Sequence, residues 1–204
     1  LVLAPQLEKV WLDLVPQGNA AATLNVRRAE ADAPLVYDLV IALQDVHAMP
    51  RSFPMPVTHA HGDIFVHGRG QHVEVNVDAL RGSLQEATGG KANFAVVGTI
   101  RSDAAGYLED LTAVVRDMEL DAELGRTLEA SGAVGRGTWD VLRPSGKVDL
   151  ICRQETEDAR ETRHYSVLLR GVKSEAEMLP RTATEITGEL LVEDGVLRFD
   201  DLRA

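Results

Sequence analysis

Residues 58–67 read THAHGDIFVH, and residues 184–193 read TEITGELLVE. Thr58/Thr184, Gly62/Gly188, Ile64/Leu190 and Val66/Val192 keep their places, whereas the histidines do not. His59 becomes Glu185, His61 becomes Thr187, Asp63 becomes Glu189 and His67 becomes Glu193. Successive side chains of a strand point to opposite faces. Both stretches therefore describe one kind of strand, polar on one face and apolar on the other, with Ala60/Ile186, Ile64/Leu190 and Val66/Val192 inward. A strand that recurs in this way sets the fold class: a β-repeat protein.

The relation extends outward on both sides. WLDLVPQG at 11–18 matches WDVLRPSG at 139–146, Tyr37 matches Tyr165, and Phe53-Pro54 matches Leu179-Pro180. VDALR at 77–81 matches FDDLR at 199–203. These landmarks recur in one order. The chain is expected to hold one full unit with its trailing helix (residues 1–137) and the start of a second (residues 138–204), as a piece of a longer array.

Within each unit the period is two. Val73, Val75 and Val77 alternate with polar neighbours, and Leu39, Ile41 and Leu43 follow Tyr37 in the same way. Val167 and Leu169 follow Tyr165, while Ala92, Phe94 and Val96 and the run through Val114 and Val115 add further strands. The polar runs 27–34 and 153–163 read as hairpin loops. Helix is predicted over Asp121–Ala130, with Gly132 as its stop, and as a turn from Trp139 to Arg143 before Pro144. Leu7–Leu14 is the first-copy counterpart of that turn. The predicted fold is mainly β: a curled antiparallel sheet of tandem repeat units with short connecting helices, forming an open apolar groove or an elongated sandwich.

Composition narrows the function classes. Against 21 Lys and Arg stand 32 Asp and Glu, and the net charge of −11 opposes binding to nucleic-acid phosphates. A lone cysteine, Cys152, excludes an intrachain disulfide and a thiolate metal cluster, and reads as a small apolar filler. No apolar run reaches the roughly 18–20 residues of a membrane-spanning helix. Gly68-x-Gly70 and Gly132-x-x-Gly135-x-Gly137 lack the Lys-Ser/Thr of a phosphate loop, and Ser83 and Ser131 lack a nucleophile-elbow context. Trp11 and Trp139 read as anchors of the helix-to-strand corner.

His59-x-His61-x-Asp63 resembles the opening of the zinc signature of metallo-β-lactamase-type hydrolases. That signature needs another His directly after the Asp, where this chain has Ile64, and later ligands, where it offers only His164. The expected function is therefore non-enzymatic, with no catalytic residues, no metal site and no cofactor. A metal-dependent hydrolase centred on His59 and His61 is the weaker reading.

The Trp-x2-Leu-x-Pro-x-Gly unit, the Phe/Leu-Pro-x3-Thr-x3-Gly-x-Ile/Leu strand and the closing Val/Phe-Asp-x-Leu-Arg together resemble the AsmA-like superfamily of TamB- and YhdP-type envelope proteins. The resemblance implies a long curled sheet with an apolar groove, an inner-membrane anchor outside this segment, a periplasmic location and a role in moving phospholipid between membranes. The implied partners are phospholipid acyl chains and neighbouring repeat units of the same chain, with no nucleic acid. The apolar-parity residues Leu39, Ile41, Ile64, Val66, Val73, Val75, Val77, Phe94, Val96, Val167, Leu169 and Leu190 would line the groove. Each of them serves equally as filler in the alternative, a structural or adhesive spacer whose core is closed.

Overall fold

The computed structural model describes residues 15–49, 55–85, 90–104, 106–131, 134–157, 160–176, 182–193 and 196–204. The predicted Leu7–Leu14 helix with Trp11, the Phe53-Pro54 and Leu179-Pro180 landmarks and Gly132 lie outside them. Ten strands follow one another: β1 (Gln17–Arg27), β2 (Val36–Ala48), β3 (Val57–Arg69), β4 (His72–Gln85) and β5 (Lys91–Asp103), then β6 (Gly106–Glu119), β7 (Pro144–Glu157), β8 (Arg160–Ser174), β9 (Ala183–Glu193) and β10 (Val196–Arg203). Two short helices, α1 (Ala122–Ser131) and α2 (Thr138–Leu142), stand between β6 and β7.

Each strand pairs antiparallel with the next, so the order in the sheet is the order in the chain. Among the described residues β1 is bonded only to β2 and β10 only to β9, which leaves the sheet open. The mainly-β antiparallel sheet with short connecting helices is thus the observed architecture. No helix among the described residues is long and apolar enough to cross a membrane.

The 153–163 run departs from expectation. It is strand on both sides of its tip, with Arg153 opposite His164 and Glu157 opposite Arg160. Polarity alone does not end a strand when neither Gly nor Pro interrupts it and the ladder continues. Charged neighbours support the extension: the Arg153 guanidinium lies 3.5 Å from Asp110 and 2.8 Å from Glu155. The 27–34 run does turn, closed by an Ala33 N–H donating to the Glu30 carbonyl. α1 begins one residue after Asp121, whose carboxylate accepts from the N–H groups of Glu123 and Leu124 at 3.0 and 2.7 Å. That is the capping pattern that satisfies free donors at a helix start.

A line of bulges crosses the sheet. In β2, β4, β6, β8 and β10 the register slips at Asp45, Ala79, Asp117, Gly171 and Asp201, each in the left-handed backbone region. Each sits third in an apolar-polar-x-apolar-polar run: LQDVH at 43–47, VDALR at 77–81, VRDME at 115–119, LRGVK at 169–173 and FDDLR at 199–203. A bulge bends its strand and increases the twist, so a row of them coils the sheet.

The glycines of the facing strands answer the bulges. A Cβ on Gly62 would lie 3.0 Å from the Ala79 carbonyl oxygen and 2.9 Å from the Leu80 Cα. Gly188 meets the Asp201 carbonyl oxygen in the same way, at 2.8 Å. The Thr-x3-Gly marker of both copies is therefore a backbone requirement, set by the bulge on the next strand. Three residues earlier, His59 and Glu185 carry the matching positive φ of 54° and 57°.

One bulge is pinned by a carboxylate. Asp149 on β7 accepts from the Asp117 backbone N–H at 2.9 Å and from the Arg170 guanidinium. Burial pushes its carboxyl upward, but the Arg170 and Asp117 donors outweigh that and hold it below the usual aspartate range. A depressed carboxyl stabilises the fold above its unfolded-state pKa and loses that contribution as acid protonates it. Asp149→Asn should therefore cost about 1 kcal/mol at neutral pH. In urea titrations the gap to wild type should close below about pH 4. A gap independent of pH would show that the charge is not what holds this bulge.

Candidate functional site

Residues paired in register share a face. Leu39, Val66, Val75 and Ile100 form one row across the sheet, and Ile41, Ile64 and Val77 form a second. Phe94, Val115, Leu150, Val167 and Leu190 form a third. All twelve residues predicted to contact lipid lie on this one face.

The helices divide the face. Leu124 of α1 is buried with Met55, Leu84, Ala92, Val115, Met118, Val148, Leu169 and Val172, and Leu128 and Trp139 pack against that cluster. Trp139 holds the helices together by laying its indole on Gly125, where a Cβ would come within 2.3 Å of the ring. Its predicted anchoring role fits this packing. Leu169 thus belongs to a filled core, and Phe94, Val167 and Leu190 pack against it.

The remaining eight candidates lie outside that cluster. Leu39, Ile41, Ile64, Val73, Val77 and Val96 are half-buried. Val66 and Val75 keep only 3% and 4% of their surface exposed. No second sheet covers them among the described residues, so the curvature of the single sheet and the side chains beside them must do so. Tyr37 contributes, since its ring lies over Gly68 in the space a Cβ would take. Phe94 does the same over Gly82. An aromatic beside a cross-strand glycine restores the packing that the glycine lacks.

The opposite face holds most of the charged and hydrogen-bonded side chains, interspersed with exposed apolar ones at Phe65, Val97, Ile151 and Leu168. Glu74 accepts from the Asn76 amide at 2.9 Å and from Arg101 at 3.0 Å, and Thr99 donates to Asn76 at 2.8 Å. The Asn76 hydrogen bond first, and Arg101 second, hold the Glu74 carboxyl below its usual range against the opposing effect of burial.

The histidines sit on this charged face, mostly beside aspartates of neighbouring strands. His67 meets Asp38 at 2.7 Å, His72 meets Asp103 at 3.5 Å and His59 meets Asp45 at 2.7 Å. His59 and His61, the pair that the motif singled out, do not occur together in a metal-competent group of three among the described residues. The Nδ1 of His61 lies 3.1 Å from the His59 carbonyl oxygen instead. What sequence reasoning missed is the set that does converge, Asp45, His47 and His59. The available signal was the Asp45-x-His47 spacing within LQDVH, although nothing in the sequence showed the bulge that gathers these two with His59.

The geometry defines an open, single-layer β-meander with one apolar face, part-covered by a helical plug, and one mixed face that carries most of the charge. Compared with family models, with curated proteins and with solved structures, the chain matches none.

Proposed function

We propose that this chain is a non-enzymatic segment of a β-repeat protein of the cell envelope, similar to the AsmA-like superfamily. Its apolar face shields phospholipid acyl chains during their transfer. The observation that carries this reading is the apolar surface left outside the helical plug: Leu39, Ile41, Ile64, Val73, Val77 and Val96 are contiguous, half-buried and uncovered by a second layer among the described residues. Exposing an acyl chain to water costs about 0.8 kcal/mol per methylene, roughly 10 kcal/mol or more for a full tail. Keeping those methylenes dry along the route needs no chemistry, only a continuous apolar surface. The two open edges, β1 and β10, would continue the face into neighbouring repeat units, because an unpaired edge is a template for another strand.

The alternative, a spacer with a shut core, draws on the plug, which fills the end of the face around Met118 and Val148. Native mass spectrometry separates the two. The transfer reading expects co-purifying phospholipid and the movement of a fluorescent phospholipid between vesicles. Ile64→Asp, which places a charge in the middle of the uncovered rows, should reduce bound lipid at least tenfold while the strand signature in circular dichroism persists. A wild-type protein that holds no phospholipid and transfers none would favour the spacer.

A further inference from the structure

From the convergence of Asp45, His47 and His59 we infer a divalent-cation site, fitted to zinc, at the crossing of the β2 and β3 bulges. One ligand atom from each of the three lies within 4.8 Å of the other two. The His59 Nδ1 is 2.7 Å from the Asp45 Oδ1, and the His47 Nε2 is 3.7 Å from that same oxygen. A tetrahedral zinc with bonds of about 2.0–2.2 Å separates its ligands by about 3.4 Å. Those two distances bracket that figure and the His47–His59 pair lies within 4.8 Å, so side-chain shifts of about an ångström in exposed residues would seat the ion. Two imidazoles and a carboxylate suit zinc, and the solvent-facing position would be filled by water.

The convergence depends on the backbone as well as on composition. Asp45 and His59 are both bulge residues with positive φ, 59° and 54°. The two bulges bring Val46 opposite Ala60 on the apolar side, and Asp45, His47 and His59 emerge together on the charged side. His47 and His59 present their rings to one another at 5.5 Å between centroids. The second copy keeps the bulges but not the ligands: Gly171, Lys173 and Glu185 stand where Asp45, His47 and His59 stand in the first. Among the described residues the site is therefore confined to the first copy. A bound ion would tie β2 to β3 where the ladder between them is broken, without touching the apolar face.

Titration with zinc chloride, followed by calorimetry on the full chain, tests this directly. One zinc per chain is expected, raising the thermal midpoint of the wild type. His47→Ala and His59→Asn should each weaken binding at least tenfold and remove the thermal shift; Asn tolerates the left-handed backbone that His59 occupies. His61→Ala and His67→Ala should bind like wild type. Cobalt in place of zinc should give visible absorption bands that His59→Asn abolishes. Absence of saturable binding at one ion per chain, or full binding in His59→Asn, would overturn the site. Neither result bears on lipid, which uses the opposite face.

Discussion

Gly98→Ala should unfold the middle of the sheet more readily than a change at any exposed position. A Cβ there would lie 2.1 Å from the Asp110 carbonyl oxygen and 2.8 Å from the Leu111 Cα, both backbone atoms of the adjoining strand. The residue also has φ 148°, a conformation that side-chain-bearing residues avoid. Overpacking costs about 1–3 kcal/mol and the backbone strain about 1–3 more. A loss of about 3–5 kcal/mol should appear as a large drop in the urea midpoint. An unchanged midpoint would mean that β5 and β6 do not pack at the register described.

Leu124→Ala should produce the second large loss, by a different route. Leu124 is 2% exposed and is the α1 side chain inserted deepest among Met118, Val148 and Leu169. Truncating a buried leucine costs about 2–5 kcal/mol, because the lost contacts leave a cavity. In a chain of this size that lowers the melting temperature by roughly 5–15 °C. Calorimetry would measure it, and a shift under a few degrees would show that α1 is not seated on the sheet. If the transfer reading holds, the loosened plug should also alter how much phospholipid the protein retains.

Much of this architecture was legible because strand alternation is a local property. HVEVNV at 72–77 announces its two faces in six residues, and the parity of the twelve apolar candidates placed all of them on one side of the sheet. The helices were legible too, since Asp121 and Pro144 mark their limits. The finer repeat was not. Corresponding bulges recur with every hairpin, but Asp45, Ala79, Asp117, Gly171 and Asp201 share a backbone conformation rather than a side chain. The 153–163 run misled for a related reason: its charges describe polarity, which a strand tolerates where its ladder continues. Which apolar residues are filled and which are uncovered was also beyond parity. Leu169 and Val73 look alike in sequence, and only the position of α1 distinguishes them.

The strand order has a further consequence. Because every strand lies beside its predecessor, no part of this sheet waits for a distant segment before it can close. A chain delivered end first, from a ribosome or through a pore, could zip up hairpin by hairpin, each new pair bonding to an edge already in place. Contacts between near neighbours in sequence favour rapid folding, and stacked repeats permit growth from any nucleus. Such a strand order permits assembly in the direction of the chain, and the size of the sheet is set by how many hairpins are supplied rather than by the closure of a barrel.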